Sequence, residues 1–168
     1  MSTTLLWMMM LACSGGEGAD GEEEIELYIN EFMPSNTQTI TDETGAYPDW
    51  VELYNGGDAA LSLEGFYLTD DLDSPNKAPL DGDLVIEPGG FIVFWADKDT
   101  LDGALHLPFN LRAEGEEIGL YMDGAYGYDQ IDAVAFGAQA EDIAVARSPD
   151  GTGDWLTTDA ATPGASNN

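Results

Sequence analysis

From Ile25 onward, apolar and polar positions alternate in short runs separated by turn residues. In IELYINEF, Ile25, Leu27 and Ile29 fall on one side while Glu26, Tyr28 and Asn30 fall on the other, the period of two that marks a strand with one buried face. The same reading applies to DWVELYN from Asp49, LSLEGFYLTD from Leu61, LVIEPGGFIVFWAD from Leu84, LHLPFNL from Leu105, EIGLYMDG from Glu117, YDQIDAVAF from Tyr128 and DWLTT from Asp154. Within DWVELYN, Trp50 and Tyr54 occupy one face and Val51 and Leu53 the other, which predicts a strand covered on both sides. Pro88-Gly89-Gly90 lies between two strand-like runs and reads as a hairpin turn, and Gly65 suits a bend or bulge before the next strand. No window carries a helical apolar period, and the eight prolines are scattered through the chain. Short strands spaced by Gly, Pro, Asn and Asp predict one all-β domain over residues 25–168, built as an antiparallel sandwich.

The first 24 residues obey a different rule. Leu5 to Ala12 read LLWMMMLA, an apolar run of 8 residues, whereas a membrane-spanning helix needs about 20. The run is therefore expected to be the core of a signal peptide over residues 1–12. From Ser14 to Glu24 the chain holds four Gly, five acids and no large apolar residue, so residues 13–24 are expected to form a flexible acidic linker behind Cys13. The junction Leu11-Ala12-Cys13-Ser14 resembles a bacterial lipoprotein signal, although Met10 and Leu11 stand where that pattern has Leu and a small residue. The resemblance implies cleavage before Cys13 and lipidation of its thiol. Because Ser14 and not Asp follows, it also implies sorting to the outer membrane or cell surface, with the domain facing periplasm or exterior. A secretory signal with an incidental cysteine is the alternative. With the only cysteine carrying lipid, no disulfide can form and stability must come from the core, which at this size buries about 68% of the unfolded surface.

Charge narrows the function. Thirty-three acidic residues against four basic ones leave a net charge of -29, and Lys77, Lys98, Arg112 and Arg147 are too few to neutralise the phosphates of a nucleic acid. One histidine, His106, and one cysteine cannot supply a His/Cys zinc site or a cysteine–histidine pair within the domain. No GxSxG, HExxH or phosphate-cradling glycine loop is present. The chain therefore reads as non-catalytic. His106, between Leu105 and Leu107, reads as the polar side of its strand. Of the tryptophans, Trp50 and Trp95 are expected in the core and Trp155 at the surface.

The best chemical candidate is calcium, a hard cation that takes six to eight oxygen ligands. One loop cluster holds Asp42, Glu43 and Asp49, close in sequence to Glu52; the other holds Asp70, Asp71, Asp73 and Asn76 in TDDLDSPN. Neither fits an EF-hand loop. Calcium is a candidate ligand and no other cofactor is expected. The remaining acidity reads either as hydration in salty surroundings or as a docking face.

Several of these segments also form an ordered set. Ile29-Asn30-Glu31 with Asn36, then Asp49-Trp50-Val51-Glu52-Leu53-Tyr54-Asn55, then Leu63-Glu64-Gly65-Phe66-Tyr67-Leu68-Thr69-Asp70, resemble the opening of the lamin-tail domain. Pro88-Gly89-Gly90-Phe91 leading into Trp95-Ala96-Asp97, Phe109-Asn110-Leu111 followed by Gly115-Glu116, and the tail Thr162-Pro163-Gly164-Ala165-Ser166-Asn167 extend the likeness. The resemblance implies an immunoglobulin-like β-sandwich and no enzymatic activity. It further implies a surface or accessory module of exported bacterial type. The expected protein is a non-catalytic, membrane-anchored envelope lipoprotein serving protein interaction or a structural role, with an envelope or extracellular protein or glycan as partner. A calcium-dependent carbohydrate or matrix-binding module is the alternative. Asn30, Glu31, Asn55 and Asp70 fall at strand ends, where side-chain oxygens are expected to brace loop backbone.

Overall fold

A computed structural model describes residues 25–168; the expected signal peptide (1–12), Cys13 and the linker (13–24) lie outside the described residues. The alternating runs become twelve strands: β1 (Leu27–Met33), β2 (Asp49–Asn55), β3 (Leu61–Ser62), β4 (Phe66–Thr69), β5 (Ala78–Pro79), β6 (Val85–Ile86), β7 (Phe91–Ala96), β8 (His106–Leu107), β9 (Gly115–Gly124), β10 (Gly127–Gly137), β11 (Ala144–Ser148) and β12 (Asp154–Thr158). They form a six-stranded sheet in the order β12-β11-β1-β2-β7-β8, a four-stranded sheet β10-β9-β4-β5, and the small pair β3-β6. The all-β sandwich predicted by the alternation is the fold observed, in the immunoglobulin-like form that the family resemblance implies.

The core lies between the two larger sheets. Phe32 from β1, Val51 and Leu53 from β2 and Phe94 from β7 join Leu68 from β4, Ile118 and Leu120 from β9 and Val134 from β10 in one buried cluster. Burying each such side chain stabilises the fold by about 1.5–3 kcal/mol. Phe32 also meets Phe136 across the interface, with ring centroids 4.7 Å apart. The opposite face of the large sheet holds a second buried cluster of Met33, Trp50, Trp95 and Ala144. DWVELYN is thus covered on both sides, as its pattern predicts. Gly65 turns the chain between β3 and β4 at φ 83°, where the Phe66 N–H donates to the Leu63 carbonyl over 3.0 Å.

Three features depart from the pattern. Pro88-Gly89-Gly90 is not a hairpin turn, because β6 pairs with β3 whereas β7 pairs with β2 and β8. The turn instead carries the chain from one sheet to another and docks on the end of β2: Gly89 N–H donates to the Asn55 carbonyl over 2.9 Å and Asn55 N–H to Gly90 over 3.0 Å. The sandwich is also not wholly antiparallel, since β7 and β8 run parallel with Trp95 opposite His106. Finally, Trp155 is half-buried, edge-on to Phe32 at 5.5 Å and beneath the Arg147 guanidinium at 4.4 Å from its ring centroid, where exposure was expected.

Candidate functional site

The two acidic loops use their oxygens to hold themselves in shape. Asp42 Oδ1 accepts from the N–H and hydroxyl of Thr44, both at 2.8 Å, and from Ala46 N–H at 2.9 Å. Burial alone would raise its carboxyl, but these bonds outweigh burial and hold it below the usual range. Asp49 Oδ1 accepts from Asn36 N–H at 3.1 Å, and Glu43 reaches His106. In the other loop, Asp70 pairs with Lys77 at 2.5 Å, Asp71 Oδ1 accepts from the Asp73 N–H at 3.1 Å, and Asn76 donates to the Tyr128 hydroxyl at 2.9 Å.

These residues are not gathered into ligand sets: among the described residues, no group of three or more His, Cys, Asp or Glu side chains is arranged to hold a metal ion. Oxygens already bonded to backbone N–H groups and cations must give up those partners to coordinate. At matched ionic strength, exchanging EDTA for millimolar calcium is expected to leave the melting temperature unchanged. A rise of several degrees would favour the calcium-dependent alternative.

His106 departs from its expected place on a polar strand face. Its side chain is 1% exposed and bridges two carboxylates, Nδ1 to Asp97 at 2.7 Å and Nε2 to Glu43 at 3.0 Å. Burial alone would pull the imidazole down, but the two carboxylates overcome it and hold the ring above its ordinary value. The ring therefore ties the 42–46 loop to the end of β7.

The densest polar assembly lies on the outer face of the large sheet, where Glu31 of β1 and Glu52 of β2 stand directly opposite each other. Both are fully buried, as is Asn30. Asn30 joins them to the β11–β12 turn: its Nδ2 donates to Glu52 Oε1 and to Asp150 Oδ1, each at 3.1 Å, and its Oδ1 accepts from Gly151 N–H at 2.9 Å. The cover is the segment after β12. Thr162 N–H donates to both Glu31 oxygens at 3.2 and 3.1 Å, and Gly164 N–H to Glu52 Oε2 at 2.5 Å. Asn167 N–H donates to Asp150 Oδ1 at 3.0 Å, and its side-chain amide donates to the carbonyls of Arg147 at 3.0 Å and Asn30 at 3.3 Å.

Burial pushes the Glu31 carboxyl up to about 7, offset in part by the Thr162 bonds and reinforced by the charge of Asp150. Glu52 is pushed up to about 8 by burial, against the bonds from Asn30 and Gly164 and with the charges of Glu31 and Asp150 adding to the rise. Of the residues expected to brace loops, Asn30 and Glu31 do so here, and Asn55 does so elsewhere by donating to the carbonyls of Ala59 at 2.8 Å and Ile86 at 2.9 Å. Sequence reasoning missed the burial of Glu52. The signal was present, since Glu52 alternates between Trp50 and Tyr54 on a strand expected to be covered on both faces.

The four-stranded sheet offers a contrasting surface. β10 is its outermost strand, and the turn between β9 and β10 lifts Tyr126 fully into solvent, with Tyr128 37% exposed beside it. Tyr128 meets Tyr67 edge-on, with ring centroids 5.0 Å apart, and Tyr67 donates its hydroxyl to Asp123 at 3.1 Å. Tyr128 is thus held in place at the edge strand by Tyr67 and by the Asn76 amide.

No curated protein and no solved structure matches the chain. The model of the Lamin Tail Domain matches residues 22–138, from before β1 to just past β10, and leaves β11, β12 and the covering segment outside the match. With the sandwich in place and most of its length matched, this chain belongs to the lamin tail domain family.

Proposed function

We propose that this lamin tail domain is a non-catalytic interaction module of the bacterial envelope, held at the membrane by lipid on Cys13 and binding an envelope or extracellular protein partner. The observation that carries the binding reading is the tyrosine-bearing open edge of β10. Tyr126, in the β9–β10 turn, and Tyr128, at the start of β10, are exposed there, on a strand whose ladder partner among the described residues is β9 alone. Tyrosine is enriched at protein interfaces because it offers rigid contact area with a polar tip, and an open strand edge accepts an added strand through main-chain bonds. The acidic surface limits non-specific attraction to anionic membranes and nucleic acid. The anchoring reading rests on the lipoprotein-like junction at Cys13.

The test uses the full chain expressed with its leader in a bacterial host. A photo-crosslinking residue at Tyr126 is expected to give one discrete envelope-protein adduct that Tyr128→Ala weakens severalfold without altering the melting temperature. Cys13→Ala is expected to move the protein from the detergent phase to the aqueous phase. A hydrolytic activity lost on a single carboxylate substitution would overturn the non-catalytic reading, and no adduct at any β10 position would overturn the edge as the binding surface.

A further inference from the structure

The segment that follows β12 is attached to the domain in an unusual way. After Thr158 it adds no strand to either sheet. Its one internal backbone bond runs from Ala165 N–H to the Thr162 carbonyl at 2.9 Å. Its bonds to the body run from its own N–H groups to the carboxylates of Glu31, Glu52 and Asp150, and from the Asn167 amide to two carbonyls. Ser166 adds a hydroxyl donated to Asp150 Oδ2 at 2.5 Å. None of residues 159–168 is itself buried, yet Asn30, Glu31 and Glu52 beneath them have no exposure at all. Part of the receiving surface is held by the body of the domain: Asn30 is fixed by Gly151 and in turn fixes Glu52 and Asp150, while Glu31 takes its bonds from Thr162 of the cover. This is the relation of a ligand to a site.

We propose that the outer face of the large sheet at Asn30, Glu31, Glu52 and Asp150 is a peptide-recognition site, that its occupant is the chain's own segment 159–168, and that this segment docks and releases together with protons. Recognition runs through spaced main-chain donors: Thr162 and Gly164 present N–H groups two residues apart to two carboxyls standing side by side. Gly164 adopts φ 79° to aim its donor, a conformation glycine holds without strain. Asn167 then secures the far end.

The proton coupling follows from what faces the pair. Asp150 approaches from the β11–β12 turn, and across the strands Glu31 lies opposite Ala146 of β11 and Glu52 opposite Val93 of β7. The neighbouring cation, Arg147, is committed to Asp132, and Asp159 of the segment is exposed. Covered, the glutamates have no cation among the described residues to balance two negative charges; uncovered, water solvates both. Docking therefore takes up protons, and release is favoured as pH rises. The site lies on the other sheet from the β10 tyrosines and does not depend on their role.

Two measurements on the full chain test the proposal. In the unmodified protein, amide hydrogen exchange at Thr162 and Gly164, corrected for intrinsic rate, is expected to proceed through an opening that leaves Leu53 protected. That opening is expected to grow at least about tenfold between about pH 6 and about pH 8.5. In the second, Thr162→Pro/Gly164→Pro removes both donors and frees the site in cis. A fluorescein-labelled peptide of residues 159–168, DAATPGASNN, is then expected to bind the variant, at least about tenfold more weakly at the higher pH, and to leave the unmodified chain unlabelled. The proposal is overturned if Thr162 and Gly164 exchange only in step with Leu53 at both pH values, or if the folded variant does not bind the peptide. Should the variant not fold, the exchange experiment alone decides.

Discussion

Arg147→Ala is expected to cost the domain about 3–5 kcal/mol, the range for stripping one partner from a buried ion pair. Arg147 lies on β11, yet its guanidinium serves both sheets. Nη2 donates to both oxygens of Asp132 on β10 at 3.0 Å, Nε donates to the Ile29 carbonyl on β1 at 3.0 Å, and Nη1 donates to the Gly153 carbonyl at 3.2 Å. Asp132 Oδ2 in turn accepts from Ile29 N–H at 3.0 Å. Both side chains are about nine-tenths covered, at 14% and 13% exposure, so neither can turn to water when its partner is lost. The pair also lies beside two register shifts, one between Ile29 and Glu31 and one between Gln130 and Asp132. There the ladder leaves backbone groups for side chains to satisfy.

Arg147→Lys is expected to recover less than half of the loss, because one ammonium cannot cover a carboxylate and two carbonyls in a fixed fork. Lys98→Ala, at an exposed position, serves as the control and should stay within about 0.5 kcal/mol. Urea midpoints at constant slope give the comparison. A loss below about 1 kcal/mol for Arg147→Ala would show that the ion pair is only surface decoration.

Arg147 and Asp132 also show where reading the sequence stops. β2 was legible to the residue because DWVELYN carries both its period and its double coverage, and β1, β4, β7, β9, β10 and β12 follow from the same alternation. β11, AVARS, was missed because two alanines give weak apolar contrast and little strand preference. β5 was missed because Pro79 occupies half of it, as proline does on edge strands. Partnerships between distant residues were not legible. With 33 acids in the chain, no local feature distinguishes Asp132, which meets a cation 15 positions away, from its many solvated neighbours. Glu43 and His106 are 63 positions apart, and Thr162 and Glu31 are 131 apart. Alternation says which face a side chain takes; only the order of strands says what lies across from it. For the same reason the sequence shows the acidic loops only as candidate ligand sets, whereas in the fold Asp42 and Asp71 bond their own loop backbone, Asp70 bonds Lys77 and Glu43 bonds His106.

The large-sheet glutamates lead to the second large effect, an unusual slope of stability with pH. Glu31 and Glu52 titrate near about 7 and 8 in the folded domain against 4.5 for the unfolded chain. Below that lower value both states hold the protons and pH has no leverage through these groups. Above it the unfolded chain releases protons that the folded one keeps, so stability falls with rising pH until the folded glutamates ionise. Each such proton weakens the fold by about 1.4 kcal/mol per pH unit. From about pH 5 to about pH 8.5 the two together are expected to remove on the order of 5 kcal/mol, a shift in melting temperature of roughly 15 °C. His106 acts in the same direction, because a histidine held above its ordinary value by carboxylates stabilises at low pH and loses that contribution as pH rises through its folded value. Asp142 acts at the other end. The Thr37 hydroxyl and N–H, with Gln38 and Thr39, hold it far below the usual range, so its contribution is lost only in acid. The domain is therefore expected to be most stable near about pH 5. Glu31→Gln isolates the cause, since Gln keeps a carbonyl acceptor for Thr162 N–H without the charge. At about pH 5 it should match the unmodified domain, and at about pH 8.5 it should melt several degrees higher. Thermal melts at constant ionic strength, which hold the screening of the net charge fixed, decide the matter. A profile that is flat or rising between about pH 6 and about pH 8.5 would mean that water reaches these carboxylates in the folded state.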